Sequence, residues 1–153
     1  MLMLDLDNFK SLNDTQGHHV GDLLLIEVAK RLKRCVREVD TVARLGGDEF
    51  IVVLNELESE TPRAINQSSS VAEKIRAALA EPYLIQVAHT NGSESTIEHR
   101  CTASIGVVVF NEHLCNLEDI YKFADIAMYK AKATGGDTFW LHGVSEPPKS
   151  EAN

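Results

Sequence analysis

Two stretches of this chain place carboxylates where the backbone must end or turn. Arg44-Leu45-Gly46-Gly47-Asp48-Glu49-Phe50 sets two glycines before two acids, and an apolar run, Phe50-Ile51-Val52-Val53-Leu54, follows at once. Met1-Leu2-Met3-Leu4-Asp5-Leu6-Asp7 is a second apolar run that ends in acids. Carboxylates at strand ends, beside a glycine turn that lets a ligand approach the backbone, suit a hard cation and phosphates. Two carboxylates beside a polyphosphate repel it without a cation, so Mg2+ is the expected third party. Stripped of its surroundings, the same Gly-Gly-Asp turn reads as an ordinary hairpin tip with solvated acids.

The elements that must position these groups follow from periodicity. Residues 1–6 read as a strand, and Asn8 to Asn13 as a short helical turn that stops at Gly17. Val20, Leu23, Leu24, Val28, Leu32 and Cys35 recur at three- and four-residue steps, an amphipathic helix. A hairpin over residues 41–55 comes next. Ser59 to Ala80 reads as helical in its second half, where Val71, Ile75 and Leu79 recur, and Pro82 stops it. Tyr83 to His89 and His99 to Phe110 read as strands, with a turn at Asn91-Gly92-Ser93. A last amphipathic helix carries Leu117, Ile120, Tyr121, Ala124, Met128 and Ala131 and ends at Gly135-Gly136, before a strand over Thr138–Leu141. The order is β-α-β-β-α-β with additions, an α+β, ferredoxin-like pattern with a mainly antiparallel central sheet flanked by helices. Asp5 and Asp48 would then meet on central strands.

Composition narrows the partners. The chain has 153 residues, 44% hydrophobic and 25% charged, enough for one domain with a real core. Its net charge of −8 argues against a nucleic-acid surface, which needs clustered Lys and Arg. Anionic phosphates would need a metal ion or a few placed cations. Cys35, Cys101 and Cys115 are odd in number and lack metal-ligand spacing, so reduced thiols in a cytoplasmic domain are expected. No run of 18 apolar residues and no signal peptide occurs.

Gly46-Gly47-Asp48-Glu49-Phe50 is similar to the signature pentapeptide of GGDEF domains, and further family-like words stand in the expected order. These are Asp5-Leu6-Asp7-Asn8-Phe9-Lys10, Asn13-Asp14-Thr15-Gln16-Gly17-His18, Gly21-Asp22, Ser104-Ile105-Gly106 and Tyr129-Lys130-Ala131-Lys132. Residues 1–142 resemble this family, in wording close to tandem GGDEF–EAL signalling proteins; residues 143–153 read as a polar, proline-containing tail or linker. The resemblance implies a nucleotide-cyclase or palm-like fold. It implies a diguanylate cyclase that condenses two GTP into cyclic di-GMP, with Mg2+ (or Mn2+) as cofactor and a transient homodimer for catalysis. The alternative is a catalytically weak module that binds GTP or cyclic di-GMP and regulates a sensory or phosphodiesterase neighbour, the full-length protein being membrane-attached in some arrangements. Members normally carry an amphipathic helix and a Leu-Thr-Gly-Leu-Pro-Asn-Arg-like segment before the first strand. Neither precedes Met1, so a fragment or a late start is expected.

Residue by residue, the resemblance assigns Mg2+ to Asp5, the Leu6 carbonyl and Asp48, and catalysis to Asp48 with Glu49 in a lesser role. It assigns substrate contacts to Asn13, His18, Asp22, Gly46, Gly47 and Lys132. Asp22 can accept hydrogen bonds from guanine N1–H and N2–H2, which adenine cannot offer. Taken singly, Asn13 also reads as a helix-end cap, Asp22 as a helix start and His18 as a surface histidine. Arg37 and Asp40 lie at the offset of the family's inhibitory product site, although Arg-x-x-Asp also reads as a helix-end salt bridge. The chain departs from the family's Gly-Arg-Asn after the lysine, reading Gly135-Gly136-Asp137. That loses a bidentate phosphate donor and adds a carboxylate; Lys10 is a candidate replacement.

Overall fold

β1 (Leu2–Leu6) is buried along its whole length, and its alternating side chains divide the molecule into two cores. The computed structural model describes residues 1–58, 61–110 and 116–143. After β1 come α1 (Phe9–Gln16), α2 (His18–Cys35), β2 (Thr41–Gly46), β3 (Glu49–Val53) and α3 (Thr61–Ala80). β4 (Tyr83–Ala88), β5 (Glu94–His99), β6 (Ala103–Val107), α4 (Leu117–Ala133) and β7 (Thr138–Leu141) complete the order. The main sheet runs β2-β3-β1-β6-β7, and β4 with β5 forms a separate two-stranded arm. Only the β6–β7 pair is parallel in the main sheet; the rest are antiparallel. The order β2-β3-β1-β6 is the ferredoxin-like arrangement, and β7 extends one edge.

Leu2, Leu4 and Leu6 join Phe50, Val52, Ile105 and Val107 beneath α2 and α3. Met1, Met3 and Ile51 face the other way, onto Ile120, Ala124 and Met128 of α4. That second layer is close because β6 offers no side chain at Gly106. A Cβ there would stand 2.1 Å from the Ala124 carbonyl oxygen and 2.4 Å from the Met128 nitrogen. The backbone of α4 therefore rests directly on the strand, and its last turn carries Lys132 to the end of β1. Asn116 caps α4 by accepting from the Asp119 N–H at 2.8 Å. On the opposite layer Arg31 of α2 closes the end of α3. Its guanidinium donates to the carbonyls of Ala78, Glu81 and Pro82 and stacks 3.6 Å from the Tyr83 ring centre.

Three readings shift. α3 is helical from Thr61 onward rather than in its second half alone. The strand expected over 99–110 is confined to Ala103–Val107. Glu94–His99 is an additional strand, turned back on β4 through the expected Asn91-Gly92-Ser93 turn. Cys35 and Cys101 are free and buried; Cys115, and the tail from residue 144 on, lie outside the described residues.

Candidate functional site

The acidic turn is set by the β2–β3 hairpin. Gly46 pairs with Glu49 after a register shift, leaving Gly47 and Asp48 at the tip. Gly47 has φ 52°, which glycine adopts freely, and a Cβ on it would meet nothing within 4 Å. Space above the turn is thus left open. The side chain of Arg44 reaches back, its Nε donating to the Gly47 carbonyl at 2.9 Å. The Asp48 carbonyl accepts from the Leu6 N–H at 3.2 Å, which fixes the tip to the end of β1.

Asp5 is the centre of the arrangement. It is 7% exposed and lies across from Glu49 on one side and Ser104 on the other. Strand register therefore puts Glu49 beside Asp5. Burial raises the Asp5 carboxyl above the usual carboxylate value; Lys132 opposes the rise through a hydrogen bond, while Asp48 and Glu49 add to it. The Lys132 Nζ stands 2.8 Å from Asp5 Oδ1. A cleft of about 320 Å³ is lined here by Asp5, Leu6, Asp7, Lys132 and Gly136.

Asp7 proves to be structural. Its carboxylate accepts from Thr102 Oγ1 at 2.6 Å, Ser104 Oγ at 2.7 Å and the Asp137 N–H at 2.9 Å. It thereby ties β1 to the start of β6 and to the loop after α4. A Cβ on Gly136, whose φ is +76°, would stand 2.9 Å from this carboxylate. The space a family arginine would need for its Cβ is occupied. Asp137 adds little free negative charge, because its Oδ1 pairs with Arg76 Nη1 at 2.7 Å.

Asn13 on α1 packs against Gly21 of α2, immediately before Asp22. Asp22 and His18 are exposed. A cleft of about 590 Å³ between α2 and the hairpin is lined by Asp22, Leu25, Ile26, Arg44 and Phe50, among others. Asn13 is therefore brought against the residue that precedes Asp22, and the cleft leads from Asp22 toward the hairpin that bears Asp48. His18 stands exposed at the start of α2.

Arg37 and Asp40 lie at the opposite end of the hairpin. Their side chains meet at 3.3 Å, and Asp40 also accepts from the backbone N–H groups of Arg37 and Asn55. Burial works to raise the Asp40 carboxyl, but these N–H groups and the Arg37 guanidinium outweigh it and hold it below the usual value. Next to this pair is a cleft of about 610 Å³, walled on its far side by Gln67, Ser70 and Lys74 of α3.

Sequence reasoning named Arg44 and Ser104 only within motifs and missed their contacts, and it missed Asn55 and the Thr102–Asp7 contact altogether. For Ser104 the hint was a polar residue inside an otherwise apolar strand; for Asn55 there was none.

Fold and site together define an α+β domain of the nucleotide-cyclase type, with paired acids at a strand end and a glycine turn. Residues 1–138 match the family model "Diguanylate cyclase, GGDEF domain", and the chain belongs to the GGDEF family. It is 42% identical over 135 residues to the bifunctional diguanylate cyclase/cyclic di-GMP phosphodiesterase MucR of Pseudomonas aeruginosa, covering 88% of this chain and 18% of that protein. It is 41% identical to diguanylate cyclase A of Treponema denticola, covering 88% of this chain and 33% of that one. The crystal structure of the GGDEF domain of TpbB (YfiN) from Pseudomonas aeruginosa superposes with a TM-score of 0.77 at 33% identity, covering 94% of this chain and 81% of that one. The chain thus spans a third or less of the two curated relatives. Among the described residues no helix is long and apolar enough to cross a membrane.

Proposed function

We propose that this domain condenses two GTP into cyclic di-GMP and releases two pyrophosphates. The observation that carries the reading is Asp5: a carboxylate removed from water, with Glu49 opposite it and Asp48 adding to its charge load. Such crowding is costly unless cations join it; Lys132 supplies one at 2.8 Å, and three carboxylates leave charge for another. Among the described residues no cluster of three or more His, Cys, Asp or Glu side chains forms a metal cage. Mg2+ needs no such cage, since it takes one or two carboxylates and fills its remaining positions with phosphate oxygens and water. Asp5, Asp48 and the Leu6 carbonyl would hold it, with Mn2+ as a substitute. Bound there, the ion would neutralise charge that develops on the α-phosphate.

The chain's own groups divide the remaining work. Asn13 and Asp22 hold the guanine edge, while the open Gly46-Gly47 turn lets the phosphates lie against backbone. Lys132, which lines the same cleft as Asp5, would serve the phosphates. Asp48, with Glu49 beside it, accepts the proton of the attacking 3′-hydroxyl. Each 3′-oxygen bonds to the α-phosphorus of the other GTP as the bond to the β-phosphate bridging oxygen breaks. Because each domain holds one GTP, two domains must face each other in a transient homodimer. The Arg37–Asp40 pair and its adjoining cleft form the product site; Arg37→Ala should lose cyclic di-GMP binding about ten- to a hundredfold and leave GTP binding nearly intact.

The test is pyrophosphate release from GTP and Mg2+ by the full-length protein. Release that vanishes in Asp48→Ala supports the proposal, and identical traces from both proteins refute it. A second reading is favoured by Gly136, where a phosphate-binding arginine is missing and its space is taken by Asp7. In that reading the domain binds GTP and regulates a sensory or phosphodiesterase neighbour. Tight GTP binding without product would select it.

A further inference from the structure

Gly21 lies in the first turns of α2, and a Cβ built on it would stand 1.9 Å from Asn13 Oδ1, 3.0 Å from Asn13 Cγ and 3.2 Å from Phe9 Cζ. The Asn13 carboxamide thus occupies space that any other residue at position 21 would fill. The same Oδ1 is buried and accepts no hydrogen bond. Two unfavourable choices coincide here: glycine inside a helix, where alanine is the better helix former, and an orphaned buried carbonyl. Neither returns stability to the fold, and both lie one residue from Asp22. Conflicts of this kind, confined to one contact beside a candidate site, mark a functional constraint.

We propose that Gly21 is a positioning residue for base recognition: its missing side chain seats Asn13 with Oδ1 turned against α2 and the Nδ2 donor turned outward beside the Asp22 carboxylate. The ligand edge complementary to this pair carries N–H groups for Asp22 and an adjacent acceptor for Asn13. Guanine has both, through N1–H and N2–H2 together with O6 or N3, whereas adenine offers Asp22 no ring N–H. The inference rests on the GTP reading above. It adds that selectivity for guanine depends on a residue that never touches the base.

Titration calorimetry with Mg2+ and a non-hydrolysable GTP analogue tests it on the full chain, as wild type, Gly21→Ala, Asn13→Ala and the double variant, each with a thermal melt. Gly21→Ala should lose about tenfold in affinity, and preference over the ATP analogue should fall with it. In the Asn13→Ala background the same change should cost less than about twofold, because the contact no longer exists. If Gly21→Ala fails to fold, a double variant that folds and binds like Asn13→Ala supports the proposal equally. Unchanged affinity in Gly21→Ala, an equal loss in both backgrounds, or a double variant that fails to fold overturns it. A wild type that binds no GTP removes the functional reading itself, a result distinct from wild-type binding that Gly21→Ala leaves intact.

Discussion

Replacing Gly106 by alanine is the sharpest structural perturbation available, because it acts on the contact that lets α4 deliver Lys132 to Asp5. The new Cβ would stand 2.1 Å from the Ala124 carbonyl oxygen and 2.4 Å from the Met128 nitrogen. Both are main-chain atoms of one helix, so no side chain can swing aside. Ordinary contact needs about 3.5 Å, and α4 must therefore retreat by roughly 1.4 Å or the sheet must buckle. Ala124 and Met128 belong to the cluster with Met1, Met3 and Ile51, so that packing loosens as a unit. Overpacking of this kind costs typically 1–3 kcal/mol, and a rigid neighbour places it at the upper end, about 3 kcal/mol. For a domain of this size that corresponds to a fall in Tm of roughly 6–12 °C. Thermal unfolding followed by circular dichroism reads it directly. A Gly106→Ala protein that melts within about 2 °C of wild type, roughly a third of the smallest expected shift, would refute the direct seating of α4 on β6.

Arg31→Ala removes three donors from the end of α3 and the cation over Tyr83; urea unfolding should show a loss of about 2–4 kcal/mol, and a loss under about 0.5 would make the clasp incidental. Asp5→Asn should raise stability at neutral pH while abolishing cyclase activity. The sign follows from linkage: burial raises the folded Asp5 value, so its contribution to stability falls as pH climbs from 3.8 through the folded value. The advantage of Asp5→Asn in Tm should therefore shrink on acidification toward pH 4, and an advantage that grows there would contradict the assignment. Burial, with lesser help from Asp7, Asp48 and Asp5, pushes the Cys101 thiol up to about 12; iodoacetamide at pH 8 should leave it unlabelled until denaturant is added, as peptide mass spectrometry can establish.

Much of the fold was legible because its core elements obey simple periods. The apolar rows of α2 and α4, the hairpin around Gly47 and the buried run of β1 all read through directly. β5 did not, because its inward positions are Ser95, Ile97 and His99, so no apolar alternation marks it. The first turns of α3 escaped for a related reason: they are anchored by Ala64 and Ser68, small buried residues that carry little hydrophobic signal. In the site, the acids and glycines were visible as words and the approach of Asp5 to Asp48 followed from the strand pattern, but the places of Glu49 and Lys132 did not. Only strand register places Glu49 across from Asp5, and only the seating of α4 brings Lys132 to the same carboxylate. Asp7 stood in the same acidic word as Asp5 with no role assigned, and only the folded structure shows Thr102, Ser104 and the Asp137 N–H donating to it.

The proposed chemistry needs two GTP-loaded domains, and its dependence on protein concentration tests that most directly. Full-length protein is incubated with GTP and Mg2+ across a hundredfold range of concentration, and the product is identified by mass spectrometry. Cyclic di-GMP should form at a rate per domain that rises with protein concentration, and neither Asp48→Ala nor Asp5→Asn should form it. Absence of cyclic di-GMP at every concentration, or a product yield that Asp48→Ala matches, would contradict the assignment of this site to GTP condensation.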